Sequence, residues 1–286
     1  MRSKIPYGIK RKAIQIAAFG FTNSKLGNFI NGRIYKGKWK QFCVPSLNCY
    51  SCPAATFSCP IGAIQAVGGS IKFSFSFYVI GFLLAVGVIF GRAVCGFLCP
   101  FGLLQELLYK IPTKKFKLPR RMKYIKYAVL LLLVIILPAV ITDYAGSGKP
   151  FFCEFICPQG TLEGGIPLLL THKELRHTAG SITAIKFTVL GMVLIGCVFV
   201  ERCFCKVLCP LGAIYGLLNK ISFLHIRLDK SLCVSCGKCA DVCPMDVDPA
   251  SKECERSAEC ILCGKCVNVC PKEALSMGFK EIKTKK

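Results

Sequence analysis

Three long apolar stretches, separated by basic loops, dominate the pattern of hydrophobic and polar positions in this chain. They carry no charge over 19, 16 and 14 residues, respectively: Phe73 to Gly91, Tyr127 to Thr142 and Phe187 to Val200. A helix that crosses a bilayer needs about 20 mainly apolar residues. The first stretch meets that need. The second meets it if Lys126 places its ammonium group at the interface, and the third if its helix extends back to His177.

A fourth apolar stretch, Ala13 to Ser24, is shorter and is either a membrane span or an interfacial helix. We therefore predict an integral membrane α-helical protein with about four helices. Composition agrees, because 53% of the residues are hydrophobic and the mean hydropathy is +0.52, above that of ordinary soluble domains. The net charge of +23 comes largely from residues that flank the apolar stretches, as juxtamembrane charges do. This placement argues against a nucleic-acid-binding protein.

The distribution of Lys and Arg predicts the orientation. Nine basic residues separate the first and second long stretches, and three lie between the second stretch and His177, where the extended third helix would begin. Under the positive-inside rule the first loop is cytoplasmic and the second is outside. We therefore predict a multi-pass protein of the cytoplasmic membrane with a cytoplasmic C-terminus. One segment conflicts with this prediction: Lys25 to Lys40 holds five basic residues and no acid, yet alternation puts it outside. If Ala13 to Ser24 is interfacial, the N-terminus is outside too.

Two runs near the C-terminus share the spacing C-x2-C-x2-C-x3-C and are each followed by Pro. This spacing is typical of bacterial two-cluster ferredoxins, in which the fourth Cys of each run binds the cluster of the other. It predicts two [4Fe–4S] clusters, one held by Cys233, Cys236, Cys239 and Cys270, and the other by Cys243, Cys260, Cys263 and Cys266. Zinc is the alternative, but zinc ribbons usually separate two C-x2-C pairs by a longer gap.

A second cysteine pattern recurs along the chain. Four segments share the core Cys-Pro-x-Gly-x-Leu/Ile, and they begin at Cys59, Cys99, Cys157 and Cys209. The second and fourth match further, since each carries an Arg-x2-Cys-x3-Cys-Pro motif, which indicates an internal duplication. Pro is favoured at the first position of a helix. Each unit should therefore direct the N–H groups of a helix N-terminus at thiolates.

Sidedness predicts how these units pair. At the cytoplasmic ends of the spans, one further [4Fe–4S] cluster should be held by Cys95, Cys99, Cys205 and Cys209. On the outer side, a cluster should be held by Cys153, Cys157, Cys59 and Cys52, with Cys49 as the alternative to Cys52. Structural thiol packing, or disulfides on the outside, are the other interpretations. The cysteines that fit no complete set are Cys43, Cys197, Cys203 and Cys254.

Two arginines, Arg92 and Arg202, precede the Cys pairs of the second and fourth units. They would either offset the negative charge of the inner cluster or anchor the span ends at the cytoplasmic surface. We expect three parts in the chain. Residues 1–70 form an N-terminal helix and an outer Cys-rich segment, 71–224 form membrane helices with the Cys-Pro motifs, and 225–286 form an α+β two-cluster ferredoxin domain.

The combination of apolar helices, Cys-x3-Cys-Pro motifs and two C-terminal ferredoxin motifs resembles the NapH-like membrane ferredoxin family. The motifs that carry the resemblance are Cys95 to Pro100, Cys205 to Pro210 and Cys233 to Pro271. The resemblance implies electron transfer between a membrane or cytoplasmic donor and an acceptor at or beyond the outer face. The N-terminal segment departs from the simplest family pattern, because Cys43 to Cys59 contains more cysteines than that pattern requires.

Our main functional hypothesis is an electron conduit that begins at the ferredoxin part and ends at the outer cluster, with redox proteins as partners on one or both faces. The direction could be reversed with a membrane quinol as donor. The rival hypothesis is an assembly factor that supplies electrons or metal to a partner metalloenzyme, using surplus thiols for a soft metal. No catalytic residue or substrate site of its own is visible in the sequence.

Overall fold

The structure is a computed structural model that describes residues 7–68, 77–141, 148–177, 180–251 and 257–279. Its framework is a set of four longer helices: Tyr7–Thr22, Phe77–Phe90, Arg120–Val140 and Ser181–Phe199. Each corresponds to one of the four apolar stretches. The ends differ from those expected, and residues 73–76 and Thr142 lie outside the described residues.

Two differences in the helix ends have physical causes. The last long helix begins at Ser181 and not at His177, because Gly180 is extended there and Lys173–His177 form a separate short helix. The helix Arg120–Val140 opens with a 3-10 turn at Arg120–Tyr124 and widens to a π-helix at Leu130–Ile136. Pro138 follows that widening and lacks the N–H that a regular α-helix would use.

Two of these helices, Arg120–Val140 and Ser181–Phe199, are long and apolar enough to cross a membrane. Only 28% and 17% of their most apolar windows are buried inside the protein. A core helix of a soluble protein would be buried around most of its circumference. The exposed side chains of these two helices include Leu131, Ile135 and Ile195, and they suit contact with lipid.

A short helix begins at the Pro of every Cys-Pro unit, as the sequence predicts. The helices are Pro60–Gly68, Pro100–Leu108, Pro158–Gly160, which continues to Thr171, and Pro210–Asn219. They fold back along the long helices. The helix at Pro100 packs against Ser181–Phe199, and the helix at Pro210 packs against Phe77–Phe90. The second and fourth units are thereby interleaved.

The C-terminal part contains a two-stranded antiparallel sheet, β1 (Leu224–Leu228) and β2 (Leu275–Phe279), in which Leu224 lies opposite Phe279. Two short helices, Lys238–Asp241 and Lys265–Val269, complete the described part of this segment. We call residues 224–279 the ferredoxin segment.

The ferredoxin segment is packed directly onto the helical part. Lys206 Nζ donates to Asp246 Oδ2 at 2.6 Å, and Asn219 Nδ2 donates to Ser257 O at 2.7 Å. The approach is closest at Gly96, where an added Cβ would lie 2.6 Å from the carbonyl oxygen of Ile261. Only glycine permits that contact.

The N-terminal helix Tyr7–Thr22 joins the two ends of the protein. Near its start, Arg11 Nη1 donates to Gly96 O at 3.2 Å, beside the ferredoxin segment. At its other end, Thr22 O accepts from Thr56 N at 2.9 Å. Sixteen helical residues span about 24 Å. Residues 25–40 therefore lie at the end of the protein opposite the ferredoxin segment.

Candidate metal centres

Eight cysteines of the ferredoxin segment lie around two small cavities. We call the two groups the distal set, formed by Cys233, Cys236, Cys239 and Cys270, and the proximal set, formed by Cys243, Cys260, Cys263 and Cys266. Each set contains three cysteines of one run and the last cysteine of the other. Left-handed turns at Gly237 and Gly264 precede the short helix in each run and let the chain bend around the cavity.

The structure brings four cysteines of the second and fourth Cys-Pro units together at the end of the helical part that contacts the ferredoxin segment. This inner set is formed by Cys95, Cys99, Cys205 and Cys209, all of them buried. Burial, and then the charges of Cys205 and Cys95, raise the pKa of the Cys99 thiol to about 12. Such a thiol stays protonated in a dry site unless a metal binds it, since metal coordination deprotonates thiols.

Helix N-termini face the inner set. The amide N–H of Gly212 donates to Cys209 Sγ at 3.3 Å within the first turn of the helix that starts at Pro210. The corresponding N–H of Gly102 acts on Cys99 in the second unit. Both contacts place the partial positive charge of an N–H group beside a thiol sulfur, which would stabilise an anionic cluster.

The two arginines cross between the duplicated units. The guanidinium of Arg202 lies 3.2 Å from the position that a Cβ of Gly102 would take, and the guanidinium of Arg92 lies at the same distance from that of Gly212. Arg202 Nη1 also donates to Cys95 O at 3.0 Å. Each arginine therefore covers the Cys-Pro turn of the other unit.

A buried carboxylate, Glu106, and a half-buried one, Glu259, hold the two arginines. Glu106 Oε1 accepts from Arg202 Nη2 at 2.8 Å and from Arg11 Nη1 at 3.0 Å. Glu259 Oε2 accepts from Arg92 Nη1 at 3.0 Å, and its other oxygen pairs with Lys126. Burial opposes ionisation of Glu106, but Arg202 and Arg11 outweigh it and lower the pKa of this carboxyl to about 2.

The outer set lies around a cavity of about 490 Å³ and is formed by Cys49, Cys59, Cys153 and Cys157. These cysteines come from the first and third Cys-Pro units and from the loop before the first unit. Burial raises the pKa of the Cys153 thiol to about 12, with further contributions from Cys59 and Cys49. Since all four thiols line one cavity, they lie close together.

Cys49 takes the place in the outer set for which the sequence favoured Cys52. Cys52 does not line the cavity. It packs with Ala54 and Ala55, and its Sγ donates to Glu163 O at 3.3 Å. The two cysteines differ because the chain turns at Cys49–Cys52, where Cys52 N donates to Cys49 O at 3.2 Å.

In the first and second units the glutamine six positions after the Cys-Pro cysteine contacts a thiol, a role that the sequence alone did not indicate. Gln105 Nε2 donates to Cys205 Sγ at 3.1 Å, and Gln65 Nε2 donates to Cys153 Sγ at 3.2 Å. Each amide oxygen also accepts from the backbone N–H just before the bonded cysteine, at 3.1 Å in both sites. The shared offset in the aligned units was the available signal.

The same offset supports the place of Cys49. In the third unit the sixth position is Glu163, whose Oε2 accepts from Cys49 N at 3.1 Å. Gln65 of the first unit contacts Cys153 of the third, and Glu163 of the third unit contacts Cys49 before the first. Burial raises the pKa of the Glu163 carboxyl to about 7. Glu163 therefore holds the backbone of Cys49 beside the outer cavity.

The donor sets fit iron–sulfur clusters. Among the described residues, no three Cys, His, Asp or Glu side chains converge as ligands of a single ion would. Zinc holds its thiolates at about 2.3 Å from one centre, whereas a four-iron cube spreads four thiolates over four irons. Arg92 Nε and Nη2 are buried without an oxygen acceptor. The guanidinium lies near Cys95 and Cys205, which suits donation to a cluster.

Shared neighbours connect successive sets. Arg202 lies close enough to Cys205 of the inner set and to Cys263 of the proximal set to interact electrostatically with both. Tyr215, the residue at the sixth position of the fourth unit, is fully buried and donates to Pro45 O at 2.8 Å. Cys95 of the inner set and Cys59 of the outer set both lie close enough to the Tyr215 hydroxyl to interact with it electrostatically. The sets therefore follow one another through the protein.

The remaining cysteines lie outside these sets. Cys197 is a fully buried thiol whose Sγ donates to Gln105 Oε1 at 3.5 Å. Cys43 is buried near Cys59, and Cys203 packs on Gly196. None of the twenty described cysteines forms a disulfide, and Cys254 lies outside the described residues.

Comparisons with known proteins agree with this arrangement. A family model described as "4Fe-4S binding domain" matches residues 72–119, 127–171 and 185–230, and each match contains one Cys-x3-Cys-Pro motif. A model described as "4Fe-4S dicluster domain" matches residues 225–271.

Three relatives are similar to the chain. An uncharacterized protein of Methanocaldococcus jannaschii is 31% identical over 191 residues, which is 62% of this chain and 70% of the relative. The putative electron transport protein YccM of Escherichia coli is 29% identical over 172 residues, 56% of this chain and 43% of the relative. The ferredoxin-type protein NapH of Haemophilus influenzae is 23% identical over 146 residues, 37% of this chain and 51% of the relative. The matches thus cover between 43% and 70% of these relatives. No solved structure matches the chain.

Proposed function

The chain belongs to the NapH-like ferredoxin family of 4Fe–4S electron-transport proteins, and from that premise we propose that it is an electron conduit across the cytoplasmic membrane. Sixteen cysteines would hold four [4Fe–4S] clusters, one in each of the distal, proximal, inner and outer sets. Such clusters supply one-electron redox chemistry at potentials that the surrounding charge and hydrogen bonds adjust.

The order in which the four thiol sets follow one another through the protein supports this proposal. Arg202 adjoins both the proximal and the inner set, and Tyr215 adjoins both the inner and the outer set. The proximal and inner sets are also close in space, since an added Cβ at Gly96, next to Cys95, would lie 3.8 Å from the Cβ of Cys263. A membrane-anchored ferredoxin would need only the distal and proximal sets, and the arginines and glutamines around the inner and outer thiols would have no redox role.

The protein residues around the inner set would bind and balance a negative cluster. Arg92 and Arg202 supply charge, and Gln105 and Gly212 supply N–H donors to sulfur. At the outer set, Gln65 supplies the matching donor. These donors are fixed by buried partners, so the sites would need little reorganisation when an electron arrives.

We place the ferredoxin segment in the cytoplasm, because it contacts Arg92, Lys123 and Lys126, which belong to the nine basic residues between the first two long stretches. Electrons would enter at the distal set and leave at the outer set toward an extracytoplasmic redox protein. A membrane quinol is the alternative donor, and it would reverse the direction of flow.

Iron and acid-labile sulfide per purified chain, together with EPR of the reduced protein, test the proposal. Four cubes correspond to about 16 iron atoms. The double substitution C95A/C209A should remove about four of them and one EPR signal. Cys197→Ala is the matched control, since it removes an equally buried thiol outside the sets and should leave the iron content unchanged. Iron for only two cubes in the wild-type protein would exclude the conduit.

A further inference from the structure

An open groove of about 430 Å³ lies beside the outer set, at the end opposite the ferredoxin segment. We call it the Lys groove, and its walls include Tyr35, Lys36, Lys38, Lys40, Tyr50 and Ser51. The groove belongs to the basic segment Lys25 to Lys40, which conflicted with the positive-inside rule. Its lysines are not members of any of the four thiol sets.

The charge of the groove is not balanced locally. Five basic residues and no acid occur between Lys25 and Lys40. Within the described ranges, Lys36 and Lys38 form no ion pair, and both are exposed. Lys40 is fixed at the groove because its Nζ donates to Ala55 O at 2.8 Å. A basic run at a cytoplasmic loop would need no explanation, but at the outer end it opposes the usual bias.

Only one layer of residues separates the groove from the outer thiols. Tyr50 and Ser51 line both the Lys groove and the cavity of the outer set. The Tyr50 ring packs on the first Cys-Pro turn, where an added Cβ at Gly62 would lie 2.5 Å from the ring. Cys153, Cys49 and Cys59 are all close enough to act on the Tyr50 hydroxyl. A molecule bound in the groove would therefore be near the outer set.

We propose that the Lys groove is the docking site of a soluble electron-carrier protein with an acidic face. The proposal rests on the proposed function, because the docked carrier would exchange single electrons with the outer set. Lysines facing an acidic surface speed productive encounter and orient the partner, and this effect weakens as salt screens the charges.

An anionic membrane surface is the competing use of a basic segment. The aromatic side chains suited to lipid form a separate group, in which Trp39 packs on Phe42 and Phe57 at ring-centre distances of 6.0 and 6.1 Å. Trp39 and Phe42 are exposed but do not line the groove. The lysines thus line the groove beside the outer thiols, and the aromatic group is the part that would lie at the lipid interface.

The test compares K36E/K38E with K114E/K117E in purified holoprotein in nanodiscs of neutral lipid. The control makes the same change of charge at exposed lysines of another basic loop. Iron content is measured first. Binding of a short poly-glutamate peptide is then measured, followed by reoxidation of the dithionite-reduced protein by anionic ferricyanide and by cationic hexaammineruthenium(III), each of which accepts one electron.

We expect K36E/K38E to keep its iron, lose peptide binding and slow oxidation by ferricyanide about tenfold at low salt. Oxidation by the ruthenium complex should become faster, and the control should resemble wild type in all three measurements. Peptide binding that is unchanged in K36E/K38E would overturn the proposal. If the same variant is also retained less well on phosphatidylglycerol vesicles, the lysines would be assigned to lipid binding.

Failure of the conduit itself would be seen separately. In that case the wild-type protein would lack the iron of the inner and outer sets. Peptide binding does not require those clusters, so its loss in K36E/K38E would still support an acidic partner at the groove.

Discussion

The choice between Cys49 and Cys52 as fourth residue of the outer set is the sharpest test of the site geometry. The two cysteines have equivalent places in the sequence, since both precede the first Cys-Pro unit. In the structure Cys49 lines the outer cavity, whereas Cys52 is turned toward Ala54 and Ala55. Burial raises the pKa of the Cys49 thiol to about 12, with Glu163 contributing further.

The expected magnitudes follow from these surroundings. Cys49→Ala should cost one cube, or about four of 16 iron atoms, because three thiolates remain for four irons. Cys52→Ala removes only a weak S–H donor to Glu163 O at 3.3 Å. It should reduce the free energy of unfolding by about 1 kcal/mol and leave the iron in place.

Iron and sulfide analysis of the two single variants, with EPR of the reduced proteins, gives the answer directly. Cys43→Ala is a useful third variant, because Cys43 is buried near Cys59 but does not line the cavity. Loss of iron in Cys52→Ala with full iron in Cys49→Ala would refute the grouping. Full iron in both would refute an outer cluster held by this loop.

Three further outcomes are expected. Gln105→Leu removes an N–H donor to an inner-set sulfur and should lower the midpoint potential of that cluster by roughly 40 mV, the one-electron equivalent of about 1 kcal/mol, in a potentiometric EPR titration. Gly96→Val should slow electron exchange between the ferredoxin segment and the inner set in stopped-flow reduction without loss of iron, because its Cβ would meet a carbonyl oxygen at 2.6 Å. Gly81→Ala, which has open space around it, is the control. Glu106→Gln leaves two buried arginines without their carboxylate and should lower the free energy of unfolding by about 3–5 kcal/mol, unlike exposed Glu174→Gln. Since the Glu106 pKa is depressed to about 2, its contribution is present above about pH 4.5 and lost as pH falls toward 2, and thermal unfolding of the variant should lack this acid dependence.

Local patterns predicted the parts of the fold that depend on a few neighbouring residues. The helix starts at Pro60, Pro100, Pro158 and Pro210 follow from proline's preference for the first helical position. The long helices follow from uncharged apolar runs. Their ends were less predictable, because Gly180 and the π-helical stretch depend on how the chain packs.

Features that depend on distant partners were not visible in the sequence. The N-terminal helix begins at Tyr7 and not at Ala13, since Arg11 and Gln15 are buried against Glu106 and Cys99 O. The basic residues before Ala13, Arg11 among them, read as the end of the apolar stretch. The interaction of each arginine with the other unit's Cys-Pro turn was hidden for the same reason, although the duplication itself was evident.

The inner and outer sets have similar donors to sulfur but different surrounding charges. Both have a Gln donor six residues after a Cys-Pro cysteine, at Gln65 and Gln105. The inner set adds four buried cations against two carboxylates, Glu106 and Glu259. The outer set has two nearby cations, Lys40 and Lys186, and two carboxyls, Glu154 and Glu163. Surplus positive charge stabilises a reduced cluster, so the inner set should accept an electron more readily than the outer set. Outward flow against that order needs an acceptor that removes electrons from the outer set quickly, and a carrier docked in the Lys groove would meet that need.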